Sequence, residues 1–261
     1  ATIAVDNSGS NRGMDSSLCE VDGNPAIAYY DLGNTDLRYA RASTTSGADP
    51  ADWSSVQVDG AGPRQVGAAP SMCIVAGNPA IAYRDNADLS IRYARSSTAT
   101  GSAAADWSGG IQTDIDWCGG DSPSYPSLCV VNGNPAVAYE DTDNGYLRYA
   151  RASDTTGSAG NWTTKVLVDN NAIIGMYASL AIINGNPAIA YYRQTDTTAW
   201  FVRATSLSGG MPAAWAGKEQ LPAPGGEQIG RSTSLIELPG GLAAVAFRNE
   251  NTQAAMYAVR F

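Results

Sequence analysis

Residues 17–29 of the chain read Ser-Leu-Cys-Glu-Val-Asp-Gly-Asn-Pro-Ala-Ile-Ala-Tyr, and this pattern returns along the whole sequence. Three further copies begin at Ser71, Ser127 and Ser179, and a weaker copy covers residues 234–247. The starts lie 54, 56, 52 and 55 residues apart. A period near fifty residues, built from short alternating runs, is typical of radial β architectures in which each repeat forms one small sheet.

One repeat predicts a meander of four antiparallel strands. In the first copy the strands fall at residues 17–21, 26–30, 37–41 and 55–58. Asp22-Gly23-Asn24-Pro25 joins the first two strands, because these residue types favour tight turns. A tryptophan recurs in register before the fourth strand, where a large ring is expected to pack between neighbouring sheets. These residues are Trp53, Trp107, Trp162 and Trp215.

The two ends of the chain complete each other. The last copy stops after its third strand, whereas Thr2-Ile3-Ala4-Val5-Asp6 matches the fourth strands at residues 55–59 and 165–169. An N-terminal fourth strand would close the ring and hide sheet edges that otherwise promote aggregation. The sequence therefore predicts an all-β, five-bladed β-propeller of four-stranded antiparallel blades, filling residues 1–261 as one domain. The predicted blades are residues 17–59, 71–114, 127–169, 179–222, and 234–261 with 1–6.

Composition narrows the functional classes. The formal charge is −9 and the only lysines are Lys165 and Lys218, which disfavours electrostatic binding to nucleic acid or to an anionic membrane. No apolar run approaches the roughly 20 residues that span a bilayer. The chain begins with alanine, and we expect a mature, secreted protein from which a signal peptide has been removed.

The four cysteines leave two interpretations open. Cys19, Cys73 and Cys129 occupy one repeat position, where a small buried hydrophobic residue is the simplest explanation. Cys118 lies outside the repeat and could bridge to Cys73 or Cys129, or remain a thiol, since spacing does not fix connectivity. The chain has no histidine and no CxxC spacing, which disfavours zinc and leaves the repeated serines without an activating base.

The repeats differ most at the end of the second strand, where the following turn opens around the pore of a propeller. The variable residues are Tyr30, Arg84, Glu140, Tyr192 and Arg248, followed by Asp31, Asp85, Asp141, Arg193 and Asn249. We expect the variable side chains at the surface, where mixed charge and aromatic character would form a ligand site. The alternative for Asp31, Asp85 and Asp141 is that they cap tight turns.

No cofactor is predicted from these residues. Asp141-Thr142-Asp143-Asn144-Gly145 begins like a calcium loop, so calcium at Asp141 and Asp143 is kept as an alternative. The segment lacks the later bidentate acid of such loops and coincides with a hairpin turn. The crossings between repeats add aromatic residues such as Trp117, Tyr125 and Tyr177, which suit a glycan or a protein partner.

The repeat resembles one that is widespread in predicted secreted and surface proteins of bacteria. That repeat reads S-L-x-x-x-x-G-N-P-A-I-S-Y-Y-D followed by L-K-Y-A, and residues 127–141 and 147–151 carry a close version of it. The resemblance covers nearly the whole chain. It implies a propeller outside the cell, in a family largely without assigned biochemistry.

Three functions compete at this point. The leading hypothesis is an extracellular, non-catalytic binding or scaffold module, whose pore face binds a glycan or a protein partner. The second is a structural subunit that polymerises into a filament or a surface layer. The third is a glycoside hydrolase with Glu140 and one of Asp31, Asp85 or Asp141 as its carboxyl pair. The third ranks last, because arginines such as Arg84 and Arg248 favour the ionised form of nearby carboxyl groups and so disfavour a general acid.

Overall fold

The computed structural model describes residues 2–9, 11–60, 64–120, 125–171 and 174–260. Ala1 and Phe261, the outermost residues of the predicted ring closure, lie outside these ranges. Within them the chain is all-β, with five antiparallel sheets whose strands follow one another in chain order. Short helices lie in the loops before the fourth strands and in one crossing: Pro50–Asp52, α1 at Ala104–Ser108, Pro212–Trp215 and Pro224–Gly226.

The strands repeat with the period of the sequence. The first sheet contains β1 (Arg12–Val21), β2 (Asn24–Asp31), β3 (Asp36–Ala42) and β4 (Trp53–Asp59). The second contains β5 (Val66–Val75), β6 (Asn78–Asp85), β7 (Ser90–Arg95) and β8 (Ile111–Trp117). The third contains β9 (Ser127–Val131), β10 (Asn134–Asp141), β11 (Tyr146–Arg151) and β12 (Thr164–Asp169). The fourth contains β13 (Ile174–Ile183), β14 (Asn186–Arg193), β15 (Thr198–Arg203) and β16 (Lys218–Gln220). The fifth contains β17 (Ile229–Leu238), β18 (Leu242–Asn249) and β19 (Ala255–Arg260).

The predicted four-stranded meander is confirmed in four sheets, and the fifth departs from it. The fifth sheet has three strands, and residues 2–9 form no strand in the described part of the chain. The predicted fourth strand at residues 2–6, and with it the ring closure, is therefore not recorded. A strand assignment requires ladder hydrogen bonds to a neighbour, whereas the match at residues 2–6 was one of side-chain pattern alone.

The first strand of a sheet bulges at a fixed place. In β1, β5, β13 and β17 the register with the second strand shifts twice before the repeated serine. Gly67 adopts φ +105° in the β5 bulge, and a Cβ there would lie 2.6 Å from the Cα of Leu37. Gly230 has the same role in β17 against Ala199. Glycine is therefore required by both the dihedral angle and the close backbone approach.

The chain divides into two compact units. The first unit comprises residues 1–117 and 154–161, and the second comprises residues 118–153 and 162–261. In the first unit Trp107 is fully buried, its ring lies 5.1 Å from that of Tyr39, and its Nε1 donates to the Gly101 carbonyl. Trp215 in the second unit repeats the arrangement with Tyr149 and Gly209. Trp107, Trp162 and Trp215 thus pack in the core, as their register indicated, whereas Trp53 is only partly buried.

A carboxylate at the end of a fourth strand receives a tyrosine hydroxyl from the sheet that follows. Tyr83 Oη donates to Asp59 at 2.6 Å in the first unit, and Tyr191 Oη donates to Asp169 at 2.7 Å in the second. Tyr29 Oη donates in the same way to Asp6 at 2.5 Å. Asp6 therefore holds the position of a fourth-strand terminus, although residues 2–5 form no strand.

The cysteines are held as thiols throughout. Cys118 is buried, and no disulfide joins it to Cys73 or Cys129, so the bridging alternative is absent from the structure. Burial raises the pKa of the Cys129 thiol. Across the described ranges no helix is long and apolar enough to cross a membrane.

Candidate functional site

The predicted variable residues all lie at the ends of second strands, but most of them are not at the surface. In the first unit Tyr30 is buried and Arg84 is 0% exposed. In the second unit Glu140 is 4% exposed and Tyr192 is buried, whereas Arg248 remains largely accessible. The expectation of five surface side chains is thus wrong for four of them. Their strands end beneath the turns, which sequence variability alone does not reveal.

The three repeated aspartates serve their own turns. Asp31 accepts the backbone N–H and the side-chain amide of Asn34. Asp85 accepts the backbone N–H groups of Ala87 and Asp88. These contacts are those of Asx turns, as the alternative interpretation predicted.

Each of these carboxylates also meets an arginine, which fixes it further. Asp31 lies 3.2 Å from Arg12 Nε, and Asp85 pairs with Arg64. Asp141 pairs with Arg148 Nε at 2.6 Å and accepts the amide of Asn144. A carboxylate that already accepts several charged and neutral hydrogen bonds is committed to structure.

In the fourth repeat Arg193 stands in place of the aspartate, and a different set of side-chain contacts holds the turn. Arg193 pairs with Asp196 and lies over the Trp200 ring, with its Cζ 3.6 Å from the ring centroid. Trp200 Nε1 donates to Thr198 Oγ1 at 2.8 Å. Burial alone would raise the pKa of Asp196, but the hydrogen bonds from Arg193 and Thr198 outweigh it and hold that pKa below its ordinary value.

A cleft in the second unit brings two carboxyl groups together. It has a volume of about 280 Å³, and we name it the Glu140 cleft. Its lining consists of Glu140, Thr142, Asp143, Asn144, Gly145, Met176 and Gln194. Glu140 is the penultimate residue of β10, and residues 142–145 form the turn that follows. Met176 lies in the β13 bulge, and Gln194 follows β14.

The two carboxyl groups of the cleft have different surroundings. The Glu140 side chain is buried, and Asp143 is exposed at the tip of its turn. One cleft therefore presents a buried and an exposed carboxyl group.

The calcium alternative finds no support in this turn. Asp141 is occupied by Arg148 and Asn144, and Asp143 lines the cleft beside it. Among the described residues, no group of three or more acidic, histidine or cysteine side chains is arranged to hold a metal ion.

Aromatic side chains lie near the same bulges in the second unit. The rings of Tyr125 and Tyr177 stack with centroids 4.4 Å apart. Met176 pairs in register with Tyr192, whose ring centroid lies 5.9 Å from the guanidinium carbon of Arg231. The sequence identified Tyr125 and Tyr177 only as crossing-loop aromatics, because the bulge that positions them depends on backbone geometry.

Of the residues that line this cleft, the sequence pointed to Glu140 alone as part of a ligand site. It indicated Asp143 only as a calcium ligand and gave no role to Gln194. A signal was present, since Asp143 stands where the other repeats carry Gly33, Ala87, Thr195 and Asn251.

Comparisons with known proteins support the fold and change the functional order. No family model and no curated protein matches the chain. An α-L-arabinofuranosidase from Lactobacillus brevis matches with a TM-score of 0.50 at 12% identity, covering 95% of this chain and 90% of the other. An exo-β-1,3-galactanase from Phanerochaete chrysosporium matches with a TM-score of 0.55 at 12% identity, and the 95% of this chain that aligns spans 60% of that protein. A protein of unknown function from Dyadobacter fermentans matches with a TM-score of 0.59 at 13% identity, covering 97% and 84% of the two chains.

These identities support likeness of fold alone, and the fold is that of β-propellers. The comparison nevertheless corrects the expected function. Two of these structures are named as glycan-cleaving enzymes, which overturns a non-catalytic binding or scaffold module as the leading hypothesis, together with the expectation that the chain is not an enzyme. The glycoside hydrolase alternative is favoured instead.

Proposed function

We propose that the chain is a glycoside hydrolase whose active site is the Glu140 cleft. The observation that carries the proposal is the meeting of a buried and an exposed carboxyl group, Glu140 and Asp143, in one cleft of a glycosidase-like fold. Glycoside hydrolysis requires two carboxyl groups that flank the bond to be cut. One gives a proton to the leaving oxygen, and the other activates water or attacks the sugar.

The assignment of roles follows from the surroundings. Glu140 is the proton donor, because a buried carboxyl group retains its proton more readily. Asp143 is the carboxylate partner. The partner first considered, Asp141, is excluded by its contacts with Arg148 and Asn144. Asp31 and Asp85 are likewise bound to arginines and turn amides of the first unit.

The substrate class follows from charge. The described lining of the Glu140 cleft has two carboxyl groups and no basic residue, and the chain carries a formal charge of −9. A glycan rich in uronic acid or sulfate would be repelled from such a site. The substrate is therefore a neutral glycan, the class to which arabinofuranosides and β-1,3-galactans belong.

The proposal is tested by release of reducing ends from arabinan, β-1,3-galactan and xylan. The wild-type chain should release sugar from at least one of them, and Glu140→Gln should lower the rate by about 10²-fold or more. Glu20→Gln makes the same change at an exposed position of β1 and should leave the rate unaltered. Equal rates for wild type and Glu140→Gln, on a substrate that is cleaved, would show that the cleft is not the active site.

We also propose that the five sheets close into a ring. The support comes from comparing equivalent residues in different repeats. Leu180 N donates to Ser127 Oγ and Leu235 N donates to Ser179 Oγ, so each first strand bonds to the serine of the sheet before it. Leu18, the equivalent residue of β1, is 71% exposed, against 5% for Leu235. A closed ring would bury Leu18 as Leu235 is buried.

The tyrosines of the third strands supply a second comparison, which involves β19. Tyr39 and Tyr149 are buried, and their hydroxyls donate to the carbonyls of Thr100 and Ser208. Their equivalent, Tyr257, is 62% exposed. A closed ring would bury Tyr257 as Tyr39 and Tyr149 are buried. Tyr257→Ala should then lower the melting temperature as strongly as Tyr39→Ala, and an unchanged melting temperature would contradict closure.

The setting proposed for this activity is extracellular, as the resemblance of the repeat implies. A secreted hydrolase meets polysaccharides that do not enter cells. Fractionation of cells that express the natural gene should place the protein in the medium or on the surface, and recovery in the cytosol alone would contradict this.

A further inference from the structure

A second cleft lies in the same unit and is the larger of the two. Its volume is about 470 Å³, and we name it the Gln220 cleft. Its polar lining consists of Asp196, Thr198, Gln220 and Glu227, and the rest is Leu221, Pro222, Ala223 and Gly226. It lies where β16 leaves the fourth sheet and the chain crosses to β17.

One turn separates the two clefts. The turn between β14 and β15 places Gln194 in the lining of the Glu140 cleft and Asp196 in the lining of the Gln220 cleft. Two residues of extended chain span at most about 7 Å. The two clefts are therefore close enough for one chain-like ligand to occupy both.

The dividing turn is held rigidly. Arg193 pairs with Asp196 and covers the Trp200 ring, while Thr198 Oγ1 donates to Asp196 at 2.5 Å and accepts Trp200 Nε1. Charge-assisted hydrogen bonds and a cation–π contact thus fix both walls before any ligand arrives. Such preorganisation lowers the entropy that binding must overcome.

The lining chemistry selects hydroxyl groups. Glu227 and Gln220 offer carboxylate and amide oxygens, which accept hydrogen bonds from sugar hydroxyls. Among the residues of this lining that the structure describes, none is basic, so the cleft offers no counterion to an anionic group.

We infer that the Gln220 cleft is a second substrate subsite, which binds the neighbouring sugars of a neutral glycan chain whose scissile bond lies in the Glu140 cleft. The inference rests on the proposed function, and it makes the substrate a polymer or long oligosaccharide instead of a disaccharide or a short glycoside. Sugars bound in the Gln220 cleft contribute to recognition without touching the carboxyl groups that react.

The test uses Gln220, because it is exposed and its replacement leaves the turn contacts intact. Gln220→Trp fills the cleft, and Gln57→Trp is the matched control, since Gln57 pairs with Arg38 in the first sheet as Gln220 pairs with Trp200. On the polysaccharide that the wild type cleaves, Gln220→Trp should lower kcat/KM about tenfold or more. On the corresponding aryl monoglycoside it should leave kcat/KM unchanged within about twofold. Gln57→Trp should alter neither rate.

Binding is measured separately by affinity electrophoresis in gels that contain arabinan, β-1,3-galactan or polygalacturonate. A neutral polymer should retard the wild type, Gln220→Trp should lose that retardation, and polygalacturonate should retard neither. Equal loss of rate on polymer and monoglycoside, or retardation that Gln220→Trp does not change, would overturn the subsite. Absence of hydrolysis by the wild type would refute the proposed function, while the gels still decide the subsite. If no neutral polymer retards the wild type, the assignment of the Gln220 cleft as a subsite is overturned.

Discussion

Asp6 offers a sharp test of how the N-terminal segment is held. Its carboxylate accepts Tyr29 Oη at 2.5 Å, Arg12 Nη1 at 2.7 Å and Ser55 Oγ at 2.9 Å. Asp6→Ala removes this partner from Arg12, which keeps Asp31 at 3.2 Å, and takes the charged acceptor from the buried Tyr29 hydroxyl, so a loss of about 1.5–3 kcal/mol is expected. Tyr29→Phe removes one hydrogen bond to a charged acceptor, for which about 1.5–3 kcal/mol is expected.

Urea unfolding followed by tryptophan fluorescence measures both variants and the double mutant. The two single effects should not add, because the residues share one contact. Tyr83→Phe is the control, since it breaks the equivalent contact with Asp59 between two formed strands. A loss below about 0.5 kcal/mol for Asp6→Ala, the range of an ordinary surface substitution, would refute the anchoring of this segment.

The same residue predicts a pH dependence. Burial alone would raise the pKa of Asp6, but the hydrogen bonds from Tyr29, Ser8 and Arg12 outweigh it and hold that pKa well below its ordinary value. A carboxyl group whose pKa is lower in the folded state than in the unfolded state stabilises the fold. This stabilisation is complete above the unfolded pKa of about 3.9 and is lost as the pH falls below that value. The difference in stability between wild type and Asp6→Ala should therefore shrink below about pH 4. A constant difference down to acid pH would contradict the contact.

Three further outcomes follow from the packing and charge of the sheets. Trp107→Ala should destabilise by about 3–5 kcal/mol in thermal unfolding, whereas Trp117→Ala, at an exposed ring, should change stability by less than about 0.5 kcal/mol. Gly67→Ala should destabilise by about 1–3 kcal/mol, because its Cβ would meet the Leu37 backbone, and Gly13→Ala should cost less, because its Cβ would meet nothing within 4 Å. Burial and the neighbouring Asp31 raise the pKa of Asp36, so ionisation of this group opposes folding above the unfolded pKa of about 3.9. In urea titrations, Asp36→Asn should therefore gain stability relative to wild type between pH 4 and pH 7. A loss of stability over that range would contradict the raised pKa.

The repeat made the sheets predictable to within a few residues. Alternation in Ala26-Ile27-Ala28-Tyr29 and a turn at Asp22-Gly23 specify a hairpin locally, and the structure forms β1 and β2 with Val21 opposite Asn24. The tryptophans were equally predictable, because their size and register leave few places to pack. Ladder pairing of residues 2–6 was not predictable, since it requires a partner far along the chain.

The candidate site was predictable in position but not in composition. Glu140 was identified because the repeats diverge there, yet its burial depends on the turn above it. The choice between Asp141 and Asp143 depends on hydrogen bonds, since Arg148 comes within 2.6 Å of Asp141 only after β10 and β11 pair. The Gln220 cleft had no sequence signal, because its walls come from the β14–β15 turn and from the crossing after β16.

A crystal structure of Glu140→Gln soaked with an oligosaccharide of the cleaved polymer tests the central claim most directly. The account predicts a sugar ring in the Glu140 cleft, with the scissile bond between position 140 and the Asp143 carboxylate and further rings entering the Gln220 cleft. An oligosaccharide bound elsewhere, with the Glu140 cleft empty, would contradict the assignment of this cleft as the active site.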